Sequence, residues 1–198
     1  RKIFISIAGN IGSGKSSLTR LLAERFKWIP YYESVADNPY LSDFYADMTR
    51  WSFNLQIYFL AHRFNVHKEI VERPNSDIQD RSIYEDVEIF AKNLHKLGRM
   101  SDRDYTTYSN LFAEMTSYLR PPDLLVYLRA DVATLVKQIK ARGREFEKDL
   151  DIEYLTELNN SYDEWIKSYG FGRVLTIDTN ELDFVHTDRD FDHIITTI

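Results

Sequence analysis

An α/β fold built on a parallel sheet is what this sequence predicts, and three observations carry the prediction. Apolar, β-rich runs recur along the chain, helical periodicity fills the intervals, and the first run passes directly into Gly9-Asn10-Ile11-Gly12-Ser13-Gly14-Lys15-Ser16. Strands separated by helices require right-handed crossovers and a sheet covered on both faces. The glycine-rich segment has the G-x-x-x-x-G-K-S spacing of a phosphate-binding loop, in the strand-then-helix context that motif demands.

Each element has a local reason. The first strand, over 2–8, carries Ile3, Phe4, Ile5 and Ile7. The loop's glycines permit the φ > 0 backbone that turns N–H groups inward, Lys15 adds a cation, and the Ser16 hydroxyl suits Mg²⁺. Leu18, Leu21, Leu22 and Phe26 then recur at helical spacing, so a helix N-terminus and its partial positive charge face the phosphates. Further strands are expected at 76–79, 123–128 and 173–177, with a weaker one at 28–32. The longest helix is expected over 49–72, with Phe53, Ile57, Leu60, Phe64 and Val71 as one apolar stripe and Pro74 as the stop. Others are expected at 84–96, 101–119, 132–141 and 152–169; Ser101 reads as an N-cap, and Pro121-Pro122 as the break before the next strand. There is no repeat, low-complexity tract or linker, so one domain is expected, with its function at the carboxyl ends of the strands.

Composition narrows the function. The 198 residues are 43% hydrophobic and 28% charged, enough for the core of one domain. A net charge of −6 argues against a surface that neutralises nucleic acid and favours a small anionic ligand. Without cysteine there is neither a disulfide framework nor a thiolate metal site, and the cytoplasm is the expected compartment. No apolar run approaches the roughly 20 residues that span a bilayer.

Among phosphate-loop proteins, a GTPase would need an Asp-x-x-Gly switch and an Asn-Lys-x-Asp guanine reader, and neither tetrapeptide occurs. Small-molecule kinases remain. Tyr31-Tyr32-Glu33-Ser34 follows the second strand, Asp80-Arg81-Ser82 follows the third, and Arg142-Gly143-Arg144-Glu145-Phe146-Glu147 ends a late helix. All three clusters would meet the phosphate loop at one sheet edge. They supply the cations and carboxylates that phosphoryl transfer needs. Glu33 and Asp80 each follow a strand at that edge, and either carboxylate could accept the hydroxyl proton; Asp80 is preferred as a Mg²⁺ partner, directly or through water.

At this point the chain resembles the deoxyribonucleoside kinase family, and most of all its bacterial deoxyadenosine/deoxyguanosine kinases. The likeness runs over nearly the whole chain. It rests on Gly9 to Ser17, Tyr32-Glu33-Ser34-Val35 with Asn38-Pro39, Phe53-Asn54-Leu55-Gln56-Ile57-Tyr58 leading to Arg63, Asp80-Arg81-Ser82-Ile83-Tyr84-Glu85-Asp86, and Arg142-Gly143-Arg144. The resemblance implies a P-loop kinase fold: a five-stranded parallel sheet with helices on both faces and an arginine-bearing lid at about 142–150. It implies a homodimer, ATP as donor with Mg²⁺, and transfer of the γ-phosphate to a deoxynucleoside 5′-hydroxyl.

The resemblance also distributes roles. Gly9, Asn10, Ile11, Gly12, Ser13, Gly14, Lys15, Ser16 and Ser17 would hold the phosphates, with Arg142 and Arg144 closing over them. Glu33 would lie beside the 5′-hydroxyl, which makes it the first candidate for general base, and Arg81 would span acceptor and phosphates. Ser16 and Asp80 would serve the metal. Gln56, Arg63, Asp86 and Phe90 would meet the base, and Tyr45 with Glu147 would hold the 3′-hydroxyl while the tyrosine ring crowds the 2′ position. Segment 178–181, Asp178-Thr179-Asn180-Glu181, would hold the ATP adenine. The charged Arg63–Asp86 pair argues for a base with an amino group or purine edge: deoxyadenosine first, deoxyguanosine or deoxycytidine next. The end-product deoxynucleoside triphosphate is an expected feedback inhibitor. A thymidylate-type monophosphate kinase is the competing reading, but Glu33 and Tyr45 suit neutral hydroxyls better than a phosphate dianion. A regulatory nucleotide-binding protein without catalysis is less consistent with intact Lys15, Ser16, Glu33 and Arg81. His62, His67 and His95 show no metal-ligand spacing.

Overall fold

β1 (Phe4–Gly9), β2 (Ile29–Tyr31), β3 (Asp77–Asp80), β4 (Leu124–Arg129) and β5 (Arg173–Asp178) form one all-parallel sheet in the order β2-β3-β1-β4-β5 in a computed structural model of the chain. The structure describes residues 2–33, 37–148 and 150–198; Ser34 and Val35 of the second motif, and residue 149 of the expected lid, lie outside the described residues. All five expected strands form within two residues of their predicted bounds.

The helices are α1 (Lys15–Phe26), α2 (Leu41–Ala46), α3 (Met48–Glu72), α4 (Ile83–Glu85), α5 (Lys92–Lys96), α6 (Asp102–Thr116), α7 (Val132–Arg142), α8 (Ile152–Ser168) and α9 (Asp188–Thr197). Alternation along the strands sends Ile5, Ile7, Val126 and Leu128 to one face, where α1 and α9 cover them through Leu18, Leu22 and Ile194. Ala8, Leu125 and Tyr127 point to the other, under α3, α6 and α8. With β1 central and crossovers leaving it on both sides, its carboxyl end opens a crevice at the topological switch point.

Several expectations are corrected. The helix expected over 84–96 is broken: between α4 and α5 the chain makes a π-helical turn, Asp86–Ala91, which widens the spiral where Asp86 and Phe90 occur. Of the expected apolar stripe of α3, only Leu60 lies on the buried face. Leu55, Leu60 and Ile70 are buried beside Ser52, Gln56, Arg63 and His67, whereas Phe53, Ile57, Phe64 and Val71 are only half-buried. Gln56 and Arg63 turn inward because α3 lines a polar cleft, while Ser52 Oγ donates to Arg99 O and His67 Nε2 hydrogen-bonds with Arg120 O. Ser101 caps α6 as expected, accepting from Asp104 N–H, but the helix ends at Thr116, ahead of the proline pair. Phe26 is exposed and stacks on Trp28 instead of entering the core.

One carboxyl lies far from the crevice, at the amino end of β3. Asp77 is 0% exposed, and neither of its side-chain oxygens has a hydrogen-bond partner among the described residues. Burial pushes its carboxyl up to about 6, against the pull of Lys2 and Arg73. A carboxyl raised in the folded state stabilises the fold below the unfolded pKa and loses that contribution as pH rises through the folded one. Asp77→Asn should therefore gain stability relative to wild type between pH about 4 and about 6, by of order 1–2 kcal/mol, and hold that gain above. Urea unfolding at pH 4 and pH 8 checks this; a stability difference independent of pH would refute it.

Candidate active site

The loop between β1 and α1 is shaped by contacts that exclude side chains. Gly12 has φ 81, and a Cβ there would come within 2.7 Å of Ile139 and 3.0 Å of the Leu135 carbonyl. Gly14, φ 92, starts α1 with the Phe184 ring against it at 3.0 Å from where a Cβ would sit. Asn10 is an anchor: its amide donates to Leu155 O (3.1 Å) and Asn159 (3.2 Å), and its Oδ1 accepts from Ile11 N–H. Lys15 is 7% exposed and donates to Asn10 O at 2.8 Å. Burial, then the nearby Arg81 cation, lower its pKa to about 7, against the pull of Asp80, Glu33 and Glu85. Ser16 Oγ donates to Asp80 Oδ2 at 2.5 Å, while Asp80 Oδ1 is buried without a hydrogen-bond partner among the described residues.

Across the crevice, β2 and β3 deliver Glu33, Asp80 and Arg81. Arg81 occupies the left-handed region at φ 73, rare for a long side chain. Its N–H donates to Ile7 O (2.8 Å) and its carbonyl accepts from Arg63 Nη1 (3.4 Å). Its guanidinium lies over Phe90 at 4.4 Å and places Nε 3.4 Å from Glu33 Oε1. Arg63 binds both Asp86 oxygens through Nε, at 2.8 and 3.1 Å, and Glu33 Oε1 through Nη2 at 3.0 Å. Burial raises the Glu33 carboxyl, but Arg81, Arg63 and Lys15 together outweigh it and hold the group at about 2. For Asp86 burial prevails over Arg63 and pushes the carboxyl to about 7.

These groups share a cleft of about 810 Å³ with Tyr45, Gln56, Phe90, Arg142, Arg144 and Glu147. The buried Gln56 leaves Oε1 without a hydrogen-bond partner among the described residues. Glu147, in the 3₁₀ turn Glu145–Glu147, accepts from Arg142 Nη2 at 2.6 and 2.7 Å and lies 3.6 Å from Arg144. Burial, with Tyr154 and Glu147 adding to it, raises the Tyr45 hydroxyl well above the usual range, so it stays neutral. On the loop after β5, Thr179, Asn180 and Glu181 line the cleft, but Asn180 Oδ1 is engaged by Asp131 N–H (2.8 Å) and Thr134 (3.1 Å). Asp178 stays outside and accepts from Asn180 N–H.

The cleft thus joins a phosphate loop to a second compartment of carboxylates, arginines and aromatic rings. The family model for deoxynucleoside kinase matches residues 5–198. The chain belongs to the deoxynucleoside kinase family. It is 42% identical to the deoxyadenosine/deoxycytidine kinase of Bacillus subtilis, over 98% of this chain and 90% of that protein. It is 37% identical to a deoxyguanosine kinase of Lactobacillus acidophilus, over 98% of this chain and 88% of that one. The structure of deoxyadenosine kinase from M. mycoides with bound dATP superposes with a TM-score of 0.87 at 30% identity, covering 98% and 97% of the two chains. This deoxynucleoside kinase is therefore a nucleotide-binding phosphotransferase of nucleoside salvage.

Sequence reasoning missed several cleft residues of this kinase. Lys137 and Gln138 of α7, and residues 182–186 after β5, reach it only through the packing of loops on α7. Glu85, within the Asp80–Asp86 motif, and Tyr162, outside every motif, do not line the cleft but hydrogen-bond to each other behind Arg81. Lys137 and Gln138 fall within the expected helix 132–141, and nothing local distinguishes them further.

Proposed function

We propose that the enzyme moves the γ-phosphoryl group of ATP to the 5′-hydroxyl of a deoxynucleoside, with deoxyadenosine favoured and deoxyguanosine or deoxycytidine next, in the cytoplasm. The observation that carries the base preference is the buried Arg63–Asp86 pair in the cleft. Arg63 commits three of its five N–H groups to Asp86, Glu33 and Arg81, which leaves donors as well as the Asp86 acceptor for a polar base edge. Gln56 Oε1 adds an acceptor, and Phe90 a ring face.

In this reading, backbone N–H groups of the loop and Lys15 hold the triphosphate, and Arg142 and Arg144 exchange Glu147 for phosphate oxygens. Glu147, released, and Tyr45 take the 3′-hydroxyl. Glu33 accepts the hydrogen bond of the 5′-hydroxyl and orients it in line with the γ-phosphorus. As the new P–O bond forms and the bond to ADP breaks, Arg81 neutralises charge on the migrating oxygens, and the hydroxyl proton passes to Glu33. Ser16 and the partnerless Asp80 Oδ1 are hard oxygen donors beside the loop and fit Mg²⁺, which binds through one or two carboxylates plus water and phosphate. Bound there, the ion would neutralise phosphate charge. No cluster of three His, Cys, Asp or Glu that could cage a metal occurs among the described residues.

The homodimer belongs to the same reading: half-buried Phe53, Ile57 and Phe64 on α3, with exposed Leu111 and Tyr118 on and just after α6, supply apolar surface for a second copy. No helix among the described residues is long and apolar enough to cross a membrane.

A panel of deoxynucleosides, ribonucleosides and monophosphates tests the assignment. Deoxyadenosine should give the highest kcat/KM and thymidine the lowest, since buried polar groups left unpaired penalise the wrong base by orders of magnitude. The Arg63→Met, Asp86→Ala double variant should erode that ranking and admit thymidine. A wild type that prefers thymidine, or a double variant with the original ranking, would make the pair structural. In the same assay dATP should compete with both substrates, because one molecule occupies both compartments; competition with ATP alone contradicts that.

A further inference from the structure

One buried network lies behind Arg81 and takes no part in the transfer described above. Glu85 is 0% exposed, and each of its oxygens has two donors. Oε2 accepts from the Ser82 N–H at 2.6 Å and its hydroxyl at 2.9 Å; Oε1 accepts from the Tyr162 hydroxyl at 2.6 Å and from Gly9 N–H at 3.2 Å. The same Tyr162 hydroxyl lies 2.7 Å from Arg81 Nη1, which is itself 3.6 Å from Glu85 Oε1. A guanidinium only donates and a hydroxyl has one proton, so the direction is forced. Arg81 donates to Tyr162, Tyr162 donates to Glu85, and the far side of that carboxylate oxygen receives the first glycine of the phosphate loop.

Local structure does not call for this arrangement. The capping box at the start of α4 uses Glu85 Oε2 and Ser82, and Oε1 is surplus to it. The Tyr162 ring stacks on Tyr127 (5.6 Å, 10°) and meets Trp165 edge-on, contacts a phenylalanine would make equally well. Yet Arg81, the residue this hydroxyl holds, sits in the left-handed backbone region, a conformation that persists only where its surroundings hold it. We propose that Tyr162 and Glu85 are positioning residues for phosphoryl transfer, fixing the Arg81 guanidinium in register with Gly9, so that the cation and the loop that hold the migrating group move as one body. This rests on Arg81 acting at that group.

Tyr162→Phe removes only the hydroxyl. In steady-state kinetics with Mg-ATP and deoxyadenosine, kcat should fall about 10- to 100-fold, the scale of losing a supporting hydrogen bond or misplacing a catalytic group. Both KM values should stay within about threefold, the pattern of an interaction that matters in the transition state. Arg81→Lys supplies the control. In that background, Tyr162→Phe should change the residual kcat by less than about twofold, since the group it positions is gone. Glu85→Gln, which keeps volume and one acceptor oxygen, should show the same dependence on Arg81 and carries the test if Tyr162→Phe does not fold. An unchanged kcat in folded Tyr162→Phe, or equal losses from that substitution in the wild-type and Arg81→Lys backgrounds, would overturn the proposal. A near-normal kcat in Arg81→Lys alone would instead overturn the role given to Arg81.

Discussion

Replacing Lys15 with alanine is expected to lower kcat/KM for phosphoryl transfer by about 10³-fold or more while leaving the fold intact, since losing a single preorganised donor in such sites already costs about 10²- to 10³-fold. The structure separates the two consequences. Lys15 is buried by the loop and its one hydrogen bond among the described residues is to Asn10 O, so no core contact is lost with it. Burial and Arg81 lower its pKa, which means that the charged form is disfavoured in the nucleotide-free fold. A lysine lowered to about 7 carries that penalty below pH 7 and sheds it as the proton leaves above. The variant should thus be no less stable than wild type at neutral pH without nucleotide. Phosphate is what makes the charge favourable. ADP should accordingly raise the Tm of wild type and leave that of Lys15→Ala nearly unchanged. Normal turnover in a folded variant would remove the phosphate loop from the mechanism.

The loop could be read from the chain because its chemistry is local: eight consecutive residues, a strand before and a helix after. Arg81 was visible as a residue type but not as a geometry. Nothing in Asp80-Arg81-Ser82 announces a left-handed arginine, which depends on Ile7 O and Arg63 arriving from β1 and α3. Tyr162 and Glu85 are 77 residues apart, and their hydrogen bond exists only once α8 crosses the sheet. Periodicity misled on α3 for a related reason. It counts apolar residues and so chose a stripe that is half-buried except at Leu60, whereas the helix turns Gln56 inward to line the cleft and Arg63 and His67 inward to meet polar partners on other elements. The acidic α9 escaped detection because it buries only Ile194, and the short α2 because six residues hold too few periods to count.

Glu33→Gln is expected to lower kcat about 10²- to 10³-fold with little change in the KM for deoxynucleoside, the loss expected on removing a positioned proton acceptor. The geometry refines what that carboxylate does. Arg81, Arg63 and Lys15 hold Glu33 at about 2 in spite of its burial, far below the pKa near the working pH that suits early proton abstraction. In a loose phosphoryl-transfer transition state the hydroxyl keeps its proton until bond formation is advanced, so a firmly ionised carboxylate acts first by orientation and accepts the proton late. Its lowered pKa also fixes the sign of the pH dependence: the active, charged form is present well above pH 2 and is lost only as pH falls through that value. Hence no limb of the wild-type kcat/KM profile between pH about 5 and about 9 belongs to Glu33, and the glutamine variant should run parallel to wild type across that range. A limb that vanishes in the variant would mean that Glu33 titrates there, against its two arginine partners. If KM alone rises, Glu33 binds without transferring the proton, and Asp80, already bonded to the Ser16 hydroxyl, becomes the preferred acceptor.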